Sequence, residues 1–114
     1  MNDSELKIDL GPLHAIPPGQ GRNFEFAGER IAVFHTRAGE VFAVQAACPH
    51  KNGPLADGLV GGNTVICPLH AWKFDLETGE SLLGGCKLKT YNVGLEGANV
   101  VLRWSVPVLS EAAV

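Results

Sequence analysis

Apolar residues along this chain recur at two-residue spacing in short runs, and no stretch keeps helical spacing over three turns. In "NFEFAG" Phe24 and Phe26 share a face; in "RIAVFHT" Ile31 and Val33 share one face and Phe34 takes the other. "EVFAVQ" follows with Val41, Phe42 and Val44, and Arg37–Glu40 ("RAGE") reads as the hairpin turn between these two runs. Further on come "WKFDL", an "ETGE" turn, "LKTYNVGLEG", a turn at Gly97-Ala98-Asn99, and "NVVLRW". Each run has the length of a strand, about 4–8 residues. Fourteen glycines and seven prolines punctuate the chain and favour short strands and tight turns over long helices. The pattern predicts an all-β fold, a small antiparallel sandwich or barrel. The stretch after Trp104, "SVPVLSEAAV", fits either an edge strand or an irregular tail.

One segment breaks the alternation. From about Ala46 to Cys86 the chain is richer in glycine and proline, and it reads as a small subdomain (46–86) inserted between strands of the base. With 114 residues, 46% of them hydrophobic, the expectation is a single domain over 1–114 with one substantial core and a tail at 105–114. The net charge of −3 gives no reason to expect nucleic acid as a partner. "MNDSELKIDL" lacks the basic start and apolar core of a secretory signal, and no apolar run approaches the ~20 residues of a membrane helix. A cytoplasmic protein with no membrane contact is expected. Three cysteines is an odd number, which argues against a disulfide framework.

The inserted segment concentrates the chemistry. Cys48 and His50 stand as C-x-H, and sixteen residues later Cys67 and His70 stand as C-x-x-H. Thiolate and imidazole both bind iron and zinc well, and one or two intervening residues give the reach of a tight turn around a metal. Pro49 and Pro68 stiffen those turns, while Gly53, Gly58, Gly61 and Gly62 let backbone fold closely. Zinc would gather all four side chains into one tetrahedral site. A [2Fe–2S] centre of mixed ligation would place two cysteines on one iron and two histidines on the other. The interleaved order Cys, His, Cys, His suits two loops that each give one ligand to each iron. Unrelated core cysteines and surface histidines are the third reading of the same residues.

The pieces "CPH" and "CPLHAWKFDLETGE" resemble the two cluster-binding loops of the Rieske ferredoxin family, and the resemblance extends over roughly Ile8 to Trp104. It implies a Rieske-type [2Fe–2S] cofactor, with Cys48 and Cys67 on the inner iron and His50 and His70 on the outer one. It also implies small antiparallel sheets with the cluster subdomain at one tip. Lys51, Gly53, Leu69 and Trp72 flank the ligands. High-potential relatives carry an extra disulfide at the positions of Gly53 and Leu69, and hydroxyl donors at those of Trp72 and Phe74. This chain supplies neither, so its potential is expected near the lower end of the roughly −150 to +300 mV span of such centres. Histidine ligation further implies a potential that falls at alkaline pH.

Other residues fit ordinary roles. Lys51 is a surface charge or a contact for an acidic partner, Trp72 packs on the loop or touches a partner, and Cys86 is a small apolar residue. His14 and His35 read as strand or loop residues, and Pro54-Leu55 shape the first loop. The stretch "SLLGGCKLKTYNV" lacks the proline of the family's covering loop, and Asn92 replaces a frequent proline. No nucleophile–base pair or nucleotide-binding loop is visible, so the chain is expected to carry single electrons and to have no catalytic site of its own. "CPHKNGPLADGLVGG", "CPLHAWKFDLETGE" and the "GC" before "KLKTY" are similar to the small-subunit family of NAD(P)H-dependent nitrite reductase. That similarity implies electrons passing from a flavin in a large subunit toward sirohaem. The alternative is a stand-alone ferredoxin between a flavin reductase and an aromatic-ring-hydroxylating dioxygenase. A zinc-bound or metal-free interaction module is a third class.

Overall fold

The computed structural model describes residues 4–48, 53–68, 72–82 and 85–106. Its strands, in chain order, are β1 (Ser4–Pro12), β2 (Gln20–Phe26), β3 (Glu29–His35), β4 (Val41–Gln45), β5 (Leu59–Gly61), β6 (Thr64–Ile66), β7 (Lys73–Asp75), β8 (Thr90–Glu96) and β9 (Asn99–Val106). All pairings are antiparallel. Six strands form one sheet in the order β1-β9-β8-β4-β3-β2, and β5-β6-β7 form a second. The only helical pieces among the described residues are 3₁₀ turns at Leu13–Ala15 and Leu55–Asp57. No helix there is long and apolar enough to cross a membrane.

β3 organises the molecule because both of its faces are apolar. Ile31 and Val33 point into one core and Ala32 and Phe34 into the other, and all four are fully buried. β4 repeats the division, with Val41 and Ala43 on the first side and Phe42 and Val44 on the second. The first core is enclosed by the curled six-stranded sheet and includes Phe24, Phe26, Val100, Leu102 and Trp104. There Trp104 meets Phe26 edge-on at 5.0 Å and stacks on Tyr91 at 6.0 Å. The second core lies between that sheet and the small one, joining Phe34 and Val44 to Val60, Val65 and Phe74.

Turn residues match the predicted punctuation. Between β3 and β4 the Thr36 N–H donates to Glu40 O at 2.8 Å, with Gly39 at φ 89°. At the "ETGE" turn the Asp75 carboxylate accepts from the Glu77 and Thr78 amides at 2.8 and 3.1 Å. Gly79 there has φ 84°, and a Cβ on it would come within 2.3 Å of the Leu88 carbonyl, so glycine is required twice over. The β8–β9 turn is Gly97-Ala98 alone; Asn99 already pairs with Glu96 as the first residue of β9.

Three features go beyond the sequence reading. β1 pairs along β9 from Ser4↔Val106 to Asp9↔Val101, and its Ile8 and Leu10 pack into the first core. β9 continues past Trp104 to Val106, so the start of the final stretch is strand, and the remaining tail lies outside the described residues. The segment between β4 and β8, which are neighbours in the large sheet, supplies the whole small sheet. Its β5 and β6 are three-residue strands.

Candidate metal centre

Both cysteines of the motif occupy the first position of a loop, and the two loops are framed alike. Cys48 follows Ala47, which bridges to Pro54, and the Cys48 N–H donates to Gly53 O at 2.8 Å. Cys67 follows Ile66, which pairs with Lys73, and the Cys67 N–H donates to Trp72 O at 2.7 Å. Each loop therefore springs from an antiparallel pair and is tied by its cysteine amide to the carbonyl five residues on. Within these frames His50, Lys51, Leu69 and His70 lie outside the described residues.

Burial unites the two frames. Cys48 is 0% exposed and Cys67 1%, and both belong to the second core with Phe34, Leu55 and Phe74. Neither is in a disulfide. Thiolate is the metal-binding form of cysteine, and a buried charge is tolerated when it coordinates a metal. Two buried cysteines at equivalent positions of two matched loops, outside any disulfide and sunk into one core, fit the sulfur half of a mixed-ligand iron–sulfur centre. Sequence supplies the imidazoles within the same two loops.

Packing explains how the frames keep their shape. After the first loop, Pro54 leads into the 3₁₀ turn, whose Leu55 is fully buried and whose Leu55 N–H donates to Ala46 O at 3.0 Å. Gly58 then runs against β6 so closely that a Cβ on it would lie 2.3 Å from the Ile66 carbonyl. After the second loop, half-buried Trp72 stacks on Phe74 with ring centroids 6.4 Å apart. Gly53 and Trp72, singled out from sequence as neighbours of the ligands, thus hold the cysteine amides through their carbonyls. Neither Trp72 nor Phe74 offers a hydroxyl. Cys86 is half-buried against the same core and is free.

The neck through which the inserted segment leaves and rejoins the large sheet carries polar contacts that sequence reasoning missed. Gln45 pairs with Lys89 through backbone and side chain together. Lys89 Nζ reaches Glu29 Oε1 at 2.8 Å, and the Tyr91 hydroxyl donates to the same oxygen at 2.5 Å. These bonds, that of Lys89 first, hold the Glu29 carboxyl below its ordinary range. Burial first, and then the bond to Glu29, push the Tyr91 phenol well above its ordinary value. The only sequence signal was a polar glutamine closing the apolar run "EVFAVQ". Of the other histidines, His14 is exposed in a 3₁₀ turn, while buried His35 meets Ile16 O through Nδ1 at 2.6 Å.

Comparison with known proteins bears on the same residues. Residues 7–92 match the Rieske [2Fe-2S] domain family. The ferredoxin component of the naphthalene 1,2-dioxygenase system of Pseudomonas aeruginosa is 33% identical over 101 residues, 87% of this chain and 96% of that protein. 4β-methylsterol monooxygenase of Methylococcus capsulatus is also 33% identical, over 84% of this chain, but the chain spans only 29% of its length. Among solved structures, an oxidoreductase described as the small subunit of NADPH nitrite reductase superposes with a TM-score of 0.79 at 30% identity, over 85% of this chain and 97% of that one. The chain belongs to the Rieske [2Fe-2S] domain family, and it is an electron carrier with a Rieske-type cluster.

Proposed function

We propose that Cys48 and Cys67 hold one iron of the cluster and His50 and His70 the other, and that the chain is the small subunit of a cytoplasmic NAD(P)H-dependent nitrite reductase. The observation that carries the ligand assignment is the pair of matched frames, each opening on a buried cysteine and each containing one histidine of the motif. When bound, the cluster supplies one-electron oxidation and reduction. The chain's own part is to seat two thiolates in a close-packed apolar core and to fix the loops that bear the imidazoles. In this reading electrons arrive from a flavin in a large subunit and leave toward sirohaem, where nitrite becomes ammonia. Residues 1–114 then form one Rieske domain whose cluster-binding subdomain is 46–86 and whose tail is 105–114.

Support for the nitrite reductase assignment is the 30% identity to a protein of that description, which the chain covers over 97% of its length. The pieces "CPHKNGPLADGLVGG" and Gly85-Cys86 before "KLKTY" point the same way. A second reading, a ferredoxin serving a ring-hydroxylating dioxygenase, is favoured by the 33% identity across 96% of the dioxygenase ferredoxin component.

Elemental analysis and low-temperature EPR of anaerobically prepared protein test the cluster assignment. About two irons and two sulfides per chain are expected, with a Rieske-type signal on reduction that disappears in Cys67→Ser and His70→Ala. Stoichiometric zinc without sulfide would establish the interaction-module reading instead. Copurification from native cells separates the partners: a flavin- and sirohaem-containing large subunit supports nitrite reduction, and an oxygenase overturns it.

A further inference from the structure

The large sheet divides at Gln45, and the way it divides assigns this side chain a task. β4 pairs with β8 at Ala43↔Tyr91 and Val44↔Thr90. One step further, the Gln45 N–H still donates to Lys89 O at 2.8 Å. The Lys89 N–H does not return to a main-chain carbonyl; it donates to Gln45 Oε1 at 2.7 Å. The side chain thus completes the ladder in place of the main chain, and beyond it Ala46 bonds to Arg30 O and Leu55 N–H instead of to β8 as the chain turns toward Cys48. Its other end is also used, because Gln45 Nε2 donates to Ala47 O at 2.7 Å. Ala47 bridges Pro54 through the flanking bonds of Cys48 and Leu55, so its own carbonyl faces away from Pro54 and is met by the glutamine amide.

We propose that Gln45 is a positioning residue for the cluster: its single amide group ties the outgoing chain, one residue before Cys48, to the returning chain at Lys89. Acceptor and donor halves have separate duties. Oε1 closes the neck, and Nε2 sets the peptide that carries the Cys48 loop. Glutamine alone among uncharged side chains of this length provides both. Glutamate keeps the acceptor, loses the donor and turns an oxygen toward the Ala47 carbonyl; methionine matches the shape and loses both.

The proposal rests on Cys48 being a cluster ligand, and the test keeps the two ideas apart. Three readouts are compared in wild type, Gln45→Glu and Gln45→Met at pH 8. They are cluster loss in excess iron chelator well below the unfolding temperature, the EPR g-values of the reduced cluster, and hydrogen exchange of the 46–55 region in the protein as isolated. One solvent-accessible hydrogen bond of about 1 kcal/mol corresponds to about fivefold in an opening equilibrium. Cluster loss and exchange should therefore both accelerate about three- to tenfold in Gln45→Glu as well as in Gln45→Met, and the g-values should shift in both. Asn99→Ala, which breaks the Asn99–Asp9 bonds at the far end of β8, should lower global stability and leave the g-values unmoved. A Gln45→Glu protein that matches wild type in exchange and g-values overturns the positioning role, since the Lys89 bond alone would then suffice. Wild-type protein without a cluster would overturn the ligand assignment, and the exchange comparison would still decide the role of Gln45.

Discussion

Gly58 is the position at which one added methyl group should damage the centre most directly. It is not an unusual backbone conformation that demands glycine here, because its φ is −77°. The demand is steric. A Cβ would lie 2.3 Å from the Ile66 carbonyl oxygen and 3.1 Å from that of Leu55, where an unstrained C···O contact is about 3.3 Å or more. About 1 Å must therefore open between the 3₁₀ turn and β6. Neither obstacle is a flexible side-chain end. Ile66 is held between Leu59 and Lys73 in the small sheet and immediately precedes Cys67. Overpacking of this kind costs about 1–3 kcal/mol, which lowers Tm by roughly 5–15 °C in a domain near this size. Gly61→Ala is the matched control, since nothing lies within 4 Å of its Cβ and its φ is not positive. It should leave Tm unchanged or raise it slightly, in line with a stability gain of at most about 0.4–1 kcal/mol. Thermal unfolding of the cluster-loaded protein, followed together by far-ultraviolet circular dichroism and visible absorbance, reads both effects. In Gly58→Ala the visible band should also bleach faster than in wild type at a fixed temperature below the melt. A Gly58→Ala protein that melts within a degree or two of wild type, or a Gly61→Ala protein that falls equally far, would refute the steric account.

Two further outcomes follow from the site and its neck. The Glu29 carboxyl titrates below its ordinary 4.5 in the folded protein because Lys89, and then Tyr91, bond to it. Its contribution is complete above the unfolded value and is lost as pH falls through the folded one, so the urea midpoint of wild type should decline more steeply than that of Glu29→Gln below about pH 5; parallel curves would show that the bonds carry no linkage. For Tyr91 the sign reverses, as its raised phenol stabilises the fold below about pH 10 and loses that effect as pH climbs toward the folded value, which Tyr91→Phe should abolish. Phe74→Tyr adds a hydroxyl at the buried position where high-potential relatives have a donor. A donor that favours the reduced cluster by about 1 kcal/mol raises the one-electron potential by about 40 mV, and a well-folded variant of unchanged potential would show that the hydroxyl does not reach the cluster.

The legible parts of the sequence were those in which a period of two meets long enough strands. β3 could be read down to which of Ile31, Val33 and Phe34 share a face, and β4 as an apolar strand run, because each strand alternates between two cores and register fixes the face. Cys48, His50, Cys67 and His70 stood out because four side chains of metal-binding type at short, similar spacings rarely occur by chance in a chain with three cysteines and four histidines. β1 escaped notice although Leu6, Ile8 and Leu10 alternate, since charged Lys7 and Asp9 lie between them and its partner β9 lies at the other end of the chain. β5 and β6 escaped because three residues carry no measurable period. Gln45 showed only as a polar end to an apolar run, and its bond to Lys89 could not be foreseen, because that partner is 44 residues away and the pairing follows from where a ladder stops.

The cysteine site and the base of the fold cannot be independent. Cys48 and Cys67 belong to a core built from both sheets, with Ala32, Phe34, Val44 and Leu88 packed against Val60, Val65 and Phe74. β3 carries the other core on its opposite face through Ile31 and Val33. A shift at either cysteine must therefore displace side chains that are close-packed on a strand which itself cannot move without opening the second core. An electron carrier benefits from such a site, because its metal environment then changes little as charge arrives and departs. The loops around the motif need only be short and closed at their bases, since the resistance to movement comes from the strands beneath them. The carbonyls of Gly53 and Trp72 close those bases by taking up the two cysteine amides. The donors that could tune the cluster's sulfur atoms must then come from elsewhere in the loops, and Trp72 and Phe74 contribute no hydroxyl to that task.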